Sequence, residues 1–177
     1  MKDLLEQIKV SLAHNLYYLS LFAALTIPDI CSSLESRNGK TDSKKYKNWF
    51  NEYMVNKEPE KYGDGGNFTS IDCWNFRCAM LHQGRSSHGG IDYKRILYVE
   101  QPDSHGIGSI HVCIVGAATE EKSLLINVEK FCSDIIESAN EWLEKNEETD
   151  IYKENYQKTI RRYPDGIKPV LGCPVIG

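Results

Sequence analysis

The chain has 177 residues, 41% of them hydrophobic and 26% charged, with a formal net charge of −4. That is enough chain for one domain with its own apolar core, and it excludes a disordered, fibrous or disulfide-stapled miniature protein. The acidic balance excludes a broad electrostatic grip on nucleic acid but leaves room for a local basic site.

The opening MKDLLEQIKV brings Asp3 and Glu6 early and lacks the basic-then-apolar order of a signal peptide. Leu5, Ile8, Leu12, Leu16, Leu19 and Phe22 keep three-and-four spacing and predict one long amphipathic helix. The apolar run LYYLSLFAALTI is shorter than a bilayer span and ends at Pro28-Asp29, so no membrane role is expected. Thr26, with Asp29 three residues later and Pro28 between them, reads as the cap of a short second helix through about Leu34. After the polar loop ESRNGKTDS, Tyr46, Trp49, Phe50, Tyr53 and Met54 share one face of a third helix.

NKEPEKYGDGGN is a loop by its Pro and Gly content. Thr69 and Asp72 then form a capping-box pair opening a fourth helix over 70–83, with Ile71, Trp74, Cys78 and Leu81 as its face and Gly84 as its stop. RILYVE, SIHVCIVG and SLLINV are short and β-branched, and predict a three-stranded antiparallel meander inserted at about 95–128. Phe131, Ile135, Ile136, Ala139, Trp142 and Leu143 mark a strong helix, followed by a polar one from about Asp150 to Arg162. The reading is a mainly α bundle over 1–163, with an extended tail over 164–177.

Chemistry concentrates in the fourth helix, WNFRCAMLHQGR. Arg77 and His82 lie roughly 140° apart on an ideal helix, but a long arginine can swing toward the groove that the histidine faces. In the last turn, carbonyl dipoles favour imidazolium and should push the pKa of His82 toward working pH. A general acid with a phosphate-binding guanidinium fits that pair. So does a plain helix end, where histidine bonds free carbonyls and arginine pairs with a carboxylate; a spacing this loose often arises by chance.

RCAMLH, in the wider phrase DCWNFRCAMLHQGR and with IPDICSSLES, YKNWFNEYM and YKRILYVE around it, resembles the HEPN superfamily with its R-x(4–6)-H motif, over about residues 5 to 145. The resemblance implies an all-α up-and-down bundle, a homodimer, and a metal-independent endoribonuclease whose composite site draws Arg77 and His82 from both subunits. Arg77 would stabilise charge on the phosphorus and His82 would shuttle the proton, leaving a 2′,3′-cyclic phosphate and a 5′-OH. It further implies a toxin–antitoxin or defence setting, with an antitoxin or other protein partner. The residue after the arginine, polar in many active members, is Cys78 here, and members without a complete site act as RNA-binding or interaction modules.

Other constellations compete. Cys78 and His82 have i, i+4 spacing with Cys73 nearby, but structural zinc wants four ligands and no second short-range pair exists, so no metal or cofactor is expected. The six cysteines form no C-x-x-C pair, which suits reduced thiols in a cytoplasm. Lys44, Lys45 and Lys47 at a helix start oppose the macrodipole and are candidates for RNA phosphate, as is Arg85 just beyond the motif. His14 reads as structural, His88 and His105 as loop residues, His111 as sheet-facing or solvated, and Arg161 and Arg162 as a helix end favoured by its dipole.

Overall fold

The structure is a computed structural model that describes residues 1–64, 66–87, 93–100 and 110–177. Among these the chain is mainly α, with a small mixed sheet and short β-ladders at its end. His88 and His105 lie outside the described residues.

Two helices, α1 (Lys2–Ala13) and α2 (Tyr17–Leu34), replace the single helix expected through Phe22. The break falls at His14-Asn15-Leu16, where Asn15 takes φ 57°, a left-handed conformation that asparagine tolerates better than most residues. Leu5 and Ile8 enter the core as expected. Beyond the break the face turns, so Leu16 and Leu19 are exposed while Ser20, Leu21, Ala24 and Leu25 are buried.

The second start expected at Thr26 does not occur. Helix α2 continues through Pro28, and the Thr26 hydroxyl donates to the Ala23 carbonyl at 2.7 Å. Proline inside a helix forfeits a backbone hydrogen bond, but no residue from Ala23 to Leu34 is exposed, and this burial holds the helix together. By length and apolarity α2 could cross a membrane, yet over half of it is covered by the rest of the protein, as a central core helix requires.

Helix α3 (Ser43–Phe50) is capped by Asp42, whose carboxylate accepts the N–H groups of Lys44 and Lys45 at 2.9 Å each. The helix expected to run on through Met54 widens into a π-turn, Asn51–Val55, that still carries Tyr53 and Met54 inward. Helix α4 (Ser70–Gln83) matches its expected limits. Thr69 and Asp72 form the reciprocal box, and Gly84 is left-handed at φ 62°. Thr69→Ala is expected to lower stability by about 1 kcal/mol, read as an earlier urea midpoint; an unmoved midpoint would show that Asp72 suffices alone.

The insertion is not an antiparallel meander. Strands β1 (Arg95–Val99), β2 (Cys113–Val115) and β3 (Ser123–Asn127) lie in the order β1-β3-β2, with β1 parallel and β2 antiparallel to β3. Strand β3 is buried along nearly its whole length and needs a partner on each edge. The shortest strand, ending in exposed Val115, takes an outer edge. Neighbours in sequence often pair, and that rule misleads here.

From β3 the chain passes directly into α5 (Val128–Asn146), which buries all six core residues expected of it. Helix α6 (Asp150–Tyr156) stops six residues before Arg162. The chain turns there so that Arg161 stacks between the rings of Tyr156 and Tyr163. The tail is extended as expected but folds into two ladders, β4 (Arg162–Tyr163) with β7 (Val175–Ile176) and β5 (Gly166–Ile167) with β6 (Val170–Leu171).

Candidate active site at the end of helix α4

Which face of α4 is buried decides where its arginine goes. Cys73, Phe76 and Ala79 form the inner face, while Ile71 is exposed and Trp74, Cys78 and Leu81 are half-covered; the face expected from the sequence is the outer one. The reason is aromatic packing. Phe76 sits 5.2 Å from the Tyr98 ring, and the Cys73 Sγ lies 3.3 Å from the hydroxyl of Tyr46, which donates to the Leu25 carbonyl.

With that face inward, Arg77 is directed at α2. Its Nε donates to Asp29 Oδ2 at 2.7 Å, its Nη1 reaches His82 Nε2 at 3.0 Å, and its guanidinium carbon lies 5.3 Å from the Trp74 ring centre. Arginine has only donors, so in this contact His82 Nε2 is the acceptor. The structure thus joins the two motif residues within one chain despite their angular separation. Gly84 then turns the backbone so that Arg85 N–H donates to the Ala79 carbonyl at 3.2 Å, leaving His82 exposed at the helix end.

Asp29 is the member that sequence reasoning missed. Its side chain is buried, and Oδ1 has no hydrogen-bond partner among the described residues. Burial pushes its carboxyl above the usual range, and the charge and hydrogen bond of Arg77, with a smaller effect of His82, offset this only in part. Burial also penalises the Arg77 cation, but Asp29 outweighs it and holds the guanidinium firmly protonated. A signal was present: Asp29 is the only Asp, Glu, Lys or Arg in α2, and a lone charge in an apolar helix calls for a partner.

The lysines are not gathered here. Lys45 Nζ is spent on the Lys40 carbonyl at 2.6 Å and Asn38 Oδ1 at 3.1 Å, Lys44 is exposed, and Lys47 is half-covered. No hydrogen bond or ion pair joins any of the three to Asp29, Arg77 or His82 among the described residues. The Asp42 cap also supplies the negative charge that the helix start needed. Arg85 is exposed one residue past the stop. Among the described residues no three His, Cys, Asp or Glu side chains are grouped to hold a metal; Cys73 faces the core, and Cys78 lies 3.9 Å from Arg77 Nη1.

His14, read as structural, is an exposed residue whose Nδ1 meets the Val10 carbonyl at 2.8 Å. His111, expected on the sheet face or in solvent, is instead buried in a second polar cluster. Tyr62 donates to Asp134 Oδ2 at 2.8 Å, and His111 Nε2 lies 2.9 Å from the Tyr62 oxygen. Burial would raise the Asp134 carboxyl, but hydrogen bonds from His111 and Tyr62, aided by the charges of His111 and Lys61, hold it below its ordinary value. A depressed carboxylate contributes stability above the unfolded value near pH 4 and loses it as pH falls through the folded value. Tyr62→Phe is expected to cost about 1–2 kcal/mol at pH 7 and less in acid. Equal losses at pH 7 and pH 3 would show that only packing was removed.

No family model, curated protein or solved structure matches the chain.

Proposed function

We propose that the chain is a HEPN-like protein that cleaves RNA without a metal, acting in the cytoplasm as a homodimer within a toxin or defence system. One observation carries the reading: an arginine fixed by a buried carboxylate touches a histidine imidazole at the exposed end of a capped helix. A phosphodiester that draws the Arg77 donors to its oxygens would free His82 Nε2 to accept the 2′-OH proton. The 2′ oxygen then bonds to phosphorus, the bond to the 5′ oxygen breaks, and the imidazolium returns its proton to that oxygen. The products are a 2′,3′-cyclic phosphate and a 5′-OH. A second subunit, with its own Arg77 and His82, would complete a composite site. The test is cleavage of single-stranded RNA in chelator with end-group analysis; products bearing a 3′-OH would rule out this chemistry.

A second reading is favoured by the outer face of α4, where exposed Ile71 and half-covered Trp74, Cys78 and Leu81 form an apolar stripe beside the pair. On that reading the motif helix serves a non-catalytic dimerisation or RNA-binding module. It predicts a dimer without ribonuclease activity, in which His82→Ala alters association alone.

A further inference from the structure

A cavity of about 270 Å³ opens where the start of α2, the end of α4 and strand β1 meet. Tyr17, Tyr18 and Leu21 wall it from α2, Met80 and Ser86 from α4 and the chain just after it, and Glu100 from the end of β1. The Ser86 carbonyl accepts the Ile96 N–H at 2.9 Å, which ties that chain to β1 and fixes the wall. The volume lies at the small end of ligand cavities and suits one flat ring system rather than a peptide.

The lining decides what fits. Glu100 is exposed, has no hydrogen bond or ion pair among the described residues, and is the only charged residue among those that line the cavity. One carboxylate without a cation repels phosphate and carboxylate ligands and favours a ring that carries N–H donors. Tyr18 stands 78% exposed, its ring 6.5 Å from that of Phe22 in an edge contact, and so offers an open face for stacking. Of the RNA bases, guanine alone sets two N–H groups side by side on one edge, matching the two oxygens of a carboxylate. Adenine and cytosine place an acceptor next to their amino group, and uracil has a single N–H between carbonyls.

The cavity shares its helix with the Arg77–His82 pair. Met80 precedes His82 by two residues, about 3 Å along the axis but on nearly the opposite side of the last turn. RNA that reaches from one to the other crosses the helix end. That end is open: a methyl group on Gly84 would meet no described atom beyond its chain neighbours within 4 Å, and Arg85 is exposed beside it for a backbone phosphate.

We propose that this cavity is a guanine subsite for the RNA that the pair cleaves. Tyr18 stacks on the base, Glu100 accepts from its N1–H and amino group, and the strand runs over Gly84 to the phosphate at Arg77 and His82. The proposal rests on the ribonuclease reading and adds to it the base that sets where cleavage falls.

The test has two arms, both on the full chain. In the first, guanosine, adenosine, cytidine and uridine are titrated and binding is read by saturation-transfer NMR. Guanosine should bind at least about tenfold more tightly than the others. Glu100→Gln should erase that advantage and Tyr18→Ala should weaken guanosine binding, with melting temperature unchanged because both residues are exposed. In the second, cleavage sites are mapped on single-stranded RNA in chelator. They should fall at a constant offset from a guanine in the wild type and not in Glu100→Gln. No binding of guanosine, equal binding of the nucleosides, or a guanosine preference that survives Glu100→Gln would overturn the proposal. Cleavage that ignores guanine would overturn it too, while leaving the ribonuclease reading in place. Guanosine bound through Glu100 by a chain that cuts no RNA would keep the guanine site and overturn the ribonuclease reading instead.

Discussion

His82→Ala is expected to lower cleavage of single-stranded RNA in chelator by about 10²- to 10⁴-fold, the usual contribution of a general acid–base group, with little change in melting temperature. The side chain is exposed, and its described hydrogen bond is the one from Arg77. Exposed substitutions of this kind cost within about 0.5 kcal/mol. Arg77→Ala should abolish activity equally but should also destabilise the fold by about 2–4 kcal/mol, because it strands a buried carboxylate whose other oxygen already lacks a partner among the described residues. Arg77→Lys separates charge from shape. A lysine ammonium cannot serve Asp29 and His82 with the fixed fork that places Nε on one and Nη1 on the other, so stability should largely return while the rate stays low. Three variants with wild-type rates would remove this site from consideration. Loss of activity only in step with unfolding would give the pair a structural role and place the catalytic groups elsewhere.

What the sequence showed of this arrangement depends on whether the deciding forces were local. The α4 boundaries were legible because a capping box and a left-handed glycine act within a few residues. The core of α5 was legible because its apolar period is unbroken. The helix break at Asn15 was hidden because the leucine spacing runs straight across it, so periodicity could not reveal that the buried face turns. Pro28 misled in the opposite sense: a strong local stop signal was overridden by burial around α2, which no window on the sequence can register. The inner face of α4 is not legible in the sequence, since both of its faces carry apolar residues, and only Tyr46 and Tyr98, distant in sequence, decide between them. Order in the sheet likewise follows from which strand is buried on both edges. At the candidate site, Arg77 and His82 were legible as residue types at a spacing, but their contact required Asp29, supplied 48 residues earlier from another helix.

Asp29→Asn tests whether that carboxylate serves the fold or the chemistry. Asp29 is raised in the folded protein, since burial exceeds the compensating effects of Arg77 and His82. A group raised on folding contributes stability that is complete below its unfolded value, near pH 4 for an aspartate, and that is lost as pH rises through the folded value. Replacing it with a neutral amide of the same shape removes that loss. The stability of Asp29→Asn relative to wild type should therefore improve from pH 4 to pH 7, measured by urea midpoints at each pH. Activity should move the other way. An amide oxygen can still accept from Arg77 Nε, but it no longer supplies the charge that holds the guanidinium over Trp74 and against His82. A fall of about 10- to 100-fold in cleavage rate at pH 7 is expected, an energetic loss of roughly 1.4–2.7 kcal/mol. The wild-type rate should also decline in acid as Asp29 takes up its proton, and Asp29→Asn should lack that limb of the profile. Wild-type activity in a stabilised Asp29→Asn protein would mean that the buried carboxylate does not position Arg77 for catalysis. Lower activity in a more stable protein would mean that α2 carries a destabilising charge because the end of α4 needs it.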